Sequence, residues 1–262
     1  MLKVWTLLLC FAAANMLAVL TGAAAAQDDG PRYRSTLGFD YTSGTYGAED
    51  ATEIIYMPLS LQAEQGPWTV RAVIPWLNVK GPALILDGAE GGSAGTRATD
   101  SASGLGDVSL SLMYSVQQWW ERGLFVDVTA RAKLPTASLA AGLGTGEPDA
   151  ALQLDVAQAV GPFIPFASLG YKWAGVPQGF KLRNTAYGSV GLQYSWSERV
   201  ATGLSYDYRQ SAIKDSADPQ EGLAYLNIQM NDAWSVNLYA VMGFSENSPD
   251  EGAGVAFVYR FP

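Results

Sequence analysis

The sequence predicts an all-β fold, a closed antiparallel transmembrane β-barrel of about twelve strands, on three observations. Twelve stretches alternate apolar and polar residues with period two. The connections between them are alternately short and long. The chain also ends on an alternating strand, in which Val255, Phe257, Tyr259 and Phe261 share one face.

Residues 1–26 stand apart from that pattern. Lys3 gives a short positive start, an apolar run from Val4 to Leu20 follows, and Ala24-Ala25-Ala26 offers a small-residue cleavage site before Gln27. This is the pattern of a cleaved secretory signal peptide, and the long apolar run leaves an uncleaved anchor open. Residues 27–262 read as one barrel domain. No later stretch approaches the roughly 18 unbroken apolar residues that a transmembrane helix needs.

The strands follow in order. The first, 33–41, sets Tyr33, Leu37, Phe39 and Tyr41 on one face, and the second, 53–64, groups Ile55, Met57, Leu59 and Leu61. Trp68, Val70, Ala72, Ile74 and Trp76 define the third, against Arg71. The fourth alternates Val108 to Val116 with serines, and the fifth alternates Leu124 to Leu134 with Asp127, Arg131 and Lys133. Gln153 and Asp155 oppose leucines in the sixth, and Lys172 opposes Tyr171 and Trp173 in the seventh. In the eighth, Leu192, Tyr194 and Trp196 stand against Gln193, and in the ninth Leu204, Tyr206 and Tyr208 stand against Asp207. Leu226, Ile228 and Met230 face away from Asn227 in the tenth, and Trp234, Val236 and Leu238 face away from Asn237 in the eleventh. The closing strand is the twelfth.

Short links such as Gln65-Gly66, Glu121-Arg122-Gly123, Gly161-Pro162, Ser197-Glu198 and Asn231-Asp232 alternate with long ones, the longest being 78–106. Short turns on one rim and long loops on the other mark a transmembrane barrel with periplasmic turns, and an even strand number puts both termini on that side. A soluble sandwich has no reason to keep that alternation. The aromatics agree. Trp68 and Trp76 lie eight residues apart on one strand, Trp234 and Phe244 ten apart. At roughly 3.3 Å per residue and a tilt near 40°, these spans project to about 20–25 Å, the height of an apolar band between girdles. Tyr194, Trp196, Tyr259 and Phe261 belong to the periplasmic girdle, and Trp173 and Tyr206 to the outer one. An alternating strand that ends the chain in Tyr259 and Phe261 resembles the assembly signal read by the barrel-assembly machinery, although Pro262 follows.

If the apolar faces meet lipid, the others line a lumen. Its constriction candidates are Arg71, Asp127, Arg131, Lys133, Asp155, Lys172, Asp207 and Arg260, with Asp127, Arg131, Lys133 and Asp155 placed to pair across the interior. Mixed signs fit either a solute constriction or an ion-paired plug. Pro58 and Pro75 sit on adjacent strands with lumen parity, where proline weakens a ladder. They mark either a local bend or a gap through which an apolar solute leaves sideways.

Composition excludes several classes. Sixteen basic against twenty-five acidic residues give a net charge of −9, the wrong sign for nucleic acid. The chain contains one cysteine, Cys10, and no histidine. A serine nucleophile therefore lacks its usual base, and no His- or Cys-ligated metal is expected. No cofactor is expected, and the chain does not read as an enzyme. The Gly-rich segment within 78–106 shows no recurring ligand spacing and reads as an outward loop.

One block carries a family resemblance. Ser103-Gly104-Leu105-Gly106-Asp107, then Lys133-Leu134-Pro135-Thr136, then Gly142-Leu143-Gly144-Thr145-Gly146 with Asp149, and Gly170-Tyr171-Lys172-Trp173-Ala174-Gly175 follow in order. This block resembles the outer-membrane barrel family associated with the meta-pathway of phenol degradation, with Ala137 departing from its usual glycine. The resemblance implies a barrel that passes small compounds, aromatic or apolar ones among them. The expectation is therefore a bacterial outer-membrane channel for passive uptake of small solutes, with lipid, the assembly machinery and the solute as partners. The alternative is a non-conducting structural or adhesive barrel with an ion-paired lumen.

Overall fold

The computed structural model describes residues 30–46, 48–81, 101–139 and 141–262. The signal-peptide expectation and residues 82–100 of the longest loop lie outside the described residues. Thirteen strands form one antiparallel sheet: β1 (Arg32–Gly44), β2 (Thr52–Gln65), β3 (Trp68–Lys80), β4 (Ser101–Leu105), β5 (Val108–Ser115), β6 (Leu124–Leu134), β7 (Asp149–Gln158), β8 (Phe163–Trp173), β9 (Thr185–Ser195), β10 (Val200–Arg209), β11 (Gln220–Gln229), β12 (Trp234–Gly243) and β13 (Glu251–Arg260). Each pairs with its chain neighbours, β4 and β5 both pair with β3, and β1 pairs with both β2 and β13. The result is a closed barrel of twelve staves. Closure leaves only the short β4 with an edge that pairs no strand. Its seam runs from Arg34 opposite Arg260 to Ser43 opposite Glu251, and the Phe261 N–H extends it by donating to the Tyr33 carbonyl at 3.0 Å.

The wall is inside out relative to a soluble protein. Leu169 and Leu204 are 66% and 65% exposed on the outer face, whereas Lys172 and Gln193 are 2% exposed on the inner one. In water such a surface would be an aggregation hazard. Against lipid it is the stable arrangement, because the strand ladders pair backbone polar groups that the bilayer could not satisfy. Aromatic rings meet in a chain along the short-turn rim: Trp68 with Tyr114, Phe163 with Tyr194, Tyr194 with Trp196, Trp234 with Tyr259, and Tyr259 with Phe261. Tyr171 with Trp173 and Tyr206 with Phe244 do the same toward the long-loop rim, where Trp76 also faces outward.

Two elements differ from the sequence reading. The fourth stave begins at Ser101 rather than Val108, and its outer part pairs with β3 through Leu105 opposite Trp76. Ser-Ala-Ser-Gly-Leu offers no apolar alternation, so period alone reads it as loop. The link after β5 is also longer than three residues, because Gln117–Arg122 form a 3-10 turn closed by a left-handed Gly123.

The inner face is less polar than expected. Phe166, Leu223, Tyr225, Tyr239 and Val241 cluster there with Ala157, flanked by Phe125 and Ile164. Several of these rings lie flat on the wall because glycine stands beneath them. A Cβ on Gly203 would come within 2.1 Å of the Tyr225 ring, and one on Gly191 within 2.2 Å of the Phe166 ring. Any side chain there would push the ring into the lumen.

This inside-out wall makes a sharp prediction. Val190→Arg, on the lipid face near the middle of β9, is expected to cost about 2–4 kcal/mol, whereas Ser189→Arg on the lumen face should cost far less. Urea unfolding of the two variants in lipid vesicles, followed by tryptophan fluorescence, checks the difference.

Candidate channel interior

At the long-loop end, four charges form a buried cluster. The Lys133 ammonium lies 3.2 Å from carboxylate oxygens of both Asp107 and Asp149, and Lys172 lies 3.0 Å from Asp149. Each carboxylate also ties down a loop. Asp107 Oδ1 accepts from the Ala137 N–H at 2.8 Å, and Asp149 Oδ1 from the Gly175 N–H at 2.8 Å. Lys133 donates to Thr145 Oγ1 at 3.0 Å, while Thr136 Oγ1 accepts from the Val108 N–H and donates to the Gly106 carbonyl. The loop between β6 and β7 is thereby held inward. Its Leu143 is fully buried against Tyr46, Ile54, Tyr56, Leu77 and Val79, an apolar patch on the inner wall of β2 and β3.

The expected four-membered pairing of Asp127, Arg131, Lys133 and Asp155 is thus divided between levels. Lys133 joins Lys172 at the outer cluster with Asp107 and Asp149, acids the sequence reading did not select. Asp127 and Asp155 are register partners on β6 and β7. Asp155 accepts from Gln153 Nε2 at 2.7 Å. Arg131 stands opposite Ser111, itself opposite Arg71, and Arg71 donates twice to Gln62 Oε1 at 2.9 and 2.6 Å. Asp207 stands on β10, where it accepts from Ser205 Oγ at 3.0 Å, near the Arg209–Glu221 pair. Arg260 lies at the short-turn end.

Pro58 and Pro75 are direct register partners, and both are buried on the inner face. The ladder is disturbed on either side of them. The β1–β2 pairs resume at Leu37–Leu59 and Asp40–Tyr56, skipping Pro58. Across β3 the register slips by one residue between Val73–Ser109 and Trp76–Leu105, and the Gly106 N–H donates to the Pro75 carbonyl at 2.9 Å. That slip is a β-bulge.

At the short-turn end a cavity of about 60 Å³ opens to solvent between β9 and β13. Arg260, Gln193, Asn227, Asn237, Gln229 and Ser235 line it. All are inward by strand parity, which is the signal that finds them. Among the described residues, no group of metal-binding side chains gathers, and no helix is long and apolar enough to cross a membrane.

Solved structures share this architecture. An outer membrane channel from Pseudomonas putida F1 superposes with a TM-score of 0.71 at 15% identity, covering 92% of this chain and 98% of that one. This chain is a bacterial outer-membrane β-barrel. A KdgM porin in complex with disordered oligogalacturonate gives a TM-score of 0.56 at 6% identity, covering 87% of this barrel and 99% of its own chain. A CymD monoaromatic hydrocarbon channel gives 0.50 at 13%, covering 93% and 91%. No family model matches the chain, and no curated protein matches its sequence.

The outer cluster is testable by removing one charge. Asp149→Asn leaves Lys133 and Lys172 short of an anion, a change that costs about 3–5 kcal/mol when the site is buried. The expected outcome is a lower urea midpoint and cleavage within 135–148 by protease added to intact cells.

Proposed function

We propose that this barrel is a channel for passive uptake of small solutes across the outer membrane, aromatic or apolar compounds among them. The observation that carries the reading is the state of the inner wall. A sealed protein core satisfies its buried polar groups. Here Arg34 Nε and Nη1, both oxygens of Asp40, both amide atoms of Asn227, Arg260 Nη1 and the hydroxyls of Tyr225 and Tyr239 have no hydrogen-bond partner among the described residues. Groups so buried and unpaired are left for ordered water or a bound solute to satisfy. The apolar cluster of Phe166, Leu223, Tyr225, Tyr239 and Val241 beside them offers a surface for apolar or aromatic bodies. The likeness to a structure described as a monoaromatic hydrocarbon channel, and the resemblance of residues 103–175 to the phenol-degradation family, support that class.

The buried cluster of Lys133, Asp107, Asp149 and Lys172 favours a second reading, a structural barrel plugged at its outer end. Single-channel recording of the purified protein in planar bilayers separates the two. Discrete openings are expected, and full insertion with no current would support the plug.

Pro58 and Pro75 carry a finer proposal, sideways exit of apolar solute at the disturbed ladder. Replacing both with valine should restore the wall and slow uptake of an apolar dye into vesicles several-fold, with ionic conductance unchanged. Unaltered dye uptake would reduce the pair to a local bend.

A further inference from the structure

Two arginines meet on the inner wall at its short-turn end, beside a cavity whose lining also includes Glu198 and Arg199. Arg34 and Arg260 face each other in register across the closing seam. Arg34 is 8% exposed and pairs with Glu64 at 3.1 Å. Two guanidiniums therefore adjoin at the seam, one of them bridged to Glu64, and Arg32 lies two residues before Arg34 on the same strand. Three of their N–H-bearing atoms, Arg34 Nε and Nη1 and Arg260 Nη1, have no partner among the described residues, and neither does Asn227 Nδ2. Arg260 and Asn227 line the same cavity as Gln193, which is 2% exposed. A desolvated cation with spare donors is costly unless an anion completes it.

What adjoins these donors narrows the anion. Gln193 stands opposite Gly203, and Gly203 opposite Tyr225, whose ring belongs to the apolar cluster with Phe166 and Tyr239. Charged donors and an aromatic surface thus share one end of the barrel. A compact inorganic anion would use only the first, and a neutral hydrocarbon only the second.

We infer that Arg260 and Asn227 form a binding site for the carboxylate of a small monocarboxylic acid whose apolar or aromatic body lies against Tyr225, Tyr239 and Phe166, with the Arg34 guanidinium behind Arg260 on the next strand. The site rests on the channel reading above and sharpens its solute class. In passage the carboxylate exchanges water for a guanidinium and an amide donor, and the ring exchanges water for the apolar wall.

The test is single-channel recording with benzoate added on the short-turn side, compared with benzyl alcohol (same body, no charge) and acetate (same charge, no body). Benzoate should interrupt the current at concentrations at least about tenfold below either comparator. Arg260→Gln and Asn227→Ala should each weaken that block, Arg260→Gln by about tenfold. Heat-modifiable gel mobility confirms that each variant is folded, and Asn227→Ala stands alone if Arg260→Gln does not assemble. Equal block by benzoate and benzyl alcohol, or block unchanged in the folded variants, overturns the site while the channel reading survives. If the protein inserts but stays silent, the channel reading fails. The site is then decided by calorimetric titration of benzoate into the detergent-solubilised protein, where no binding overturns it and binding lost in Asn227→Ala sustains it.

Discussion

Lys133 is the point on which the outer half of this barrel depends. Its ammonium is buried between two carboxylates, and each carboxylate anchors a different stretch of chain. Removing charges from water is expensive, so the cluster is tolerable only because every member is paired. That condition is restrictive enough to dictate backbone. Gly144 must lack a side chain, since a Cβ would sit 2.7 Å from the Ala137 methyl and 3.0 Å from Asp107. Gly175 is under the same constraint from the Pro148 carbonyl, at 2.4 Å. A loop that would otherwise wave above the membrane is fixed over the lumen, and Leu143 seals against the inner wall as a result.

The same cluster explains why one motif block is spread over a quarter of the chain. Gly106-Asp107, Lys133 to Thr136, Gly142 to Gly146, Asp149 and Lys172 to Gly175 are separate in sequence and contiguous in space. In the fold the block is one structural device, the ion cluster and the loops it ties down. On the proposed channel reading, solute selection falls to other groups, which leave no such contiguous signature.

Most of the architecture was legible in the sequence. Period-two alternation placed the staves, and the short–long rhythm of connections gave the closed topology, because a membrane barrel must keep its lipid face apolar and its turns in register. The stave from Ser101 was not legible, since small residues satisfy a ladder without showing a period. Parity put Arg71, Asp127, Arg131, Asp155 and Arg260 on the inner face, yet it could not reveal their partners. Height around a tilted sheet depends on register, and register came only with the fold. Lys133 consequently looked like a neighbour of Asp127, on its own strand, when its ion pairs run to Asp107 and Asp149. Tyr225 and Tyr239 hid for a related reason. They share the parity of Asn227 and Asn237, and only the glycines of adjacent staves show that their rings lie along the wall.

These features order the environments a solute meets. The outer end presents a paired ion cluster and an apolar patch, closed to the field of its own charges. The middle offers aromatic rings flattened on glycine beside like-charged Asp127 and Asp155. The short-turn end holds the adjoining guanidiniums of Arg34 and Arg260. A passive channel, as proposed for this barrel, cannot bias net flux, but such an order would decide where a solute dwells, and dwelling near the exit would shorten the path that remains. The acidic balance of the chain as a whole, −9, does not oppose this. Charges more than roughly 8 Å apart are screened at physiological salt, whereas a partly buried guanidinium acts at contact. Net charge governs the approach to the barrel, and the few cations inside govern the stay.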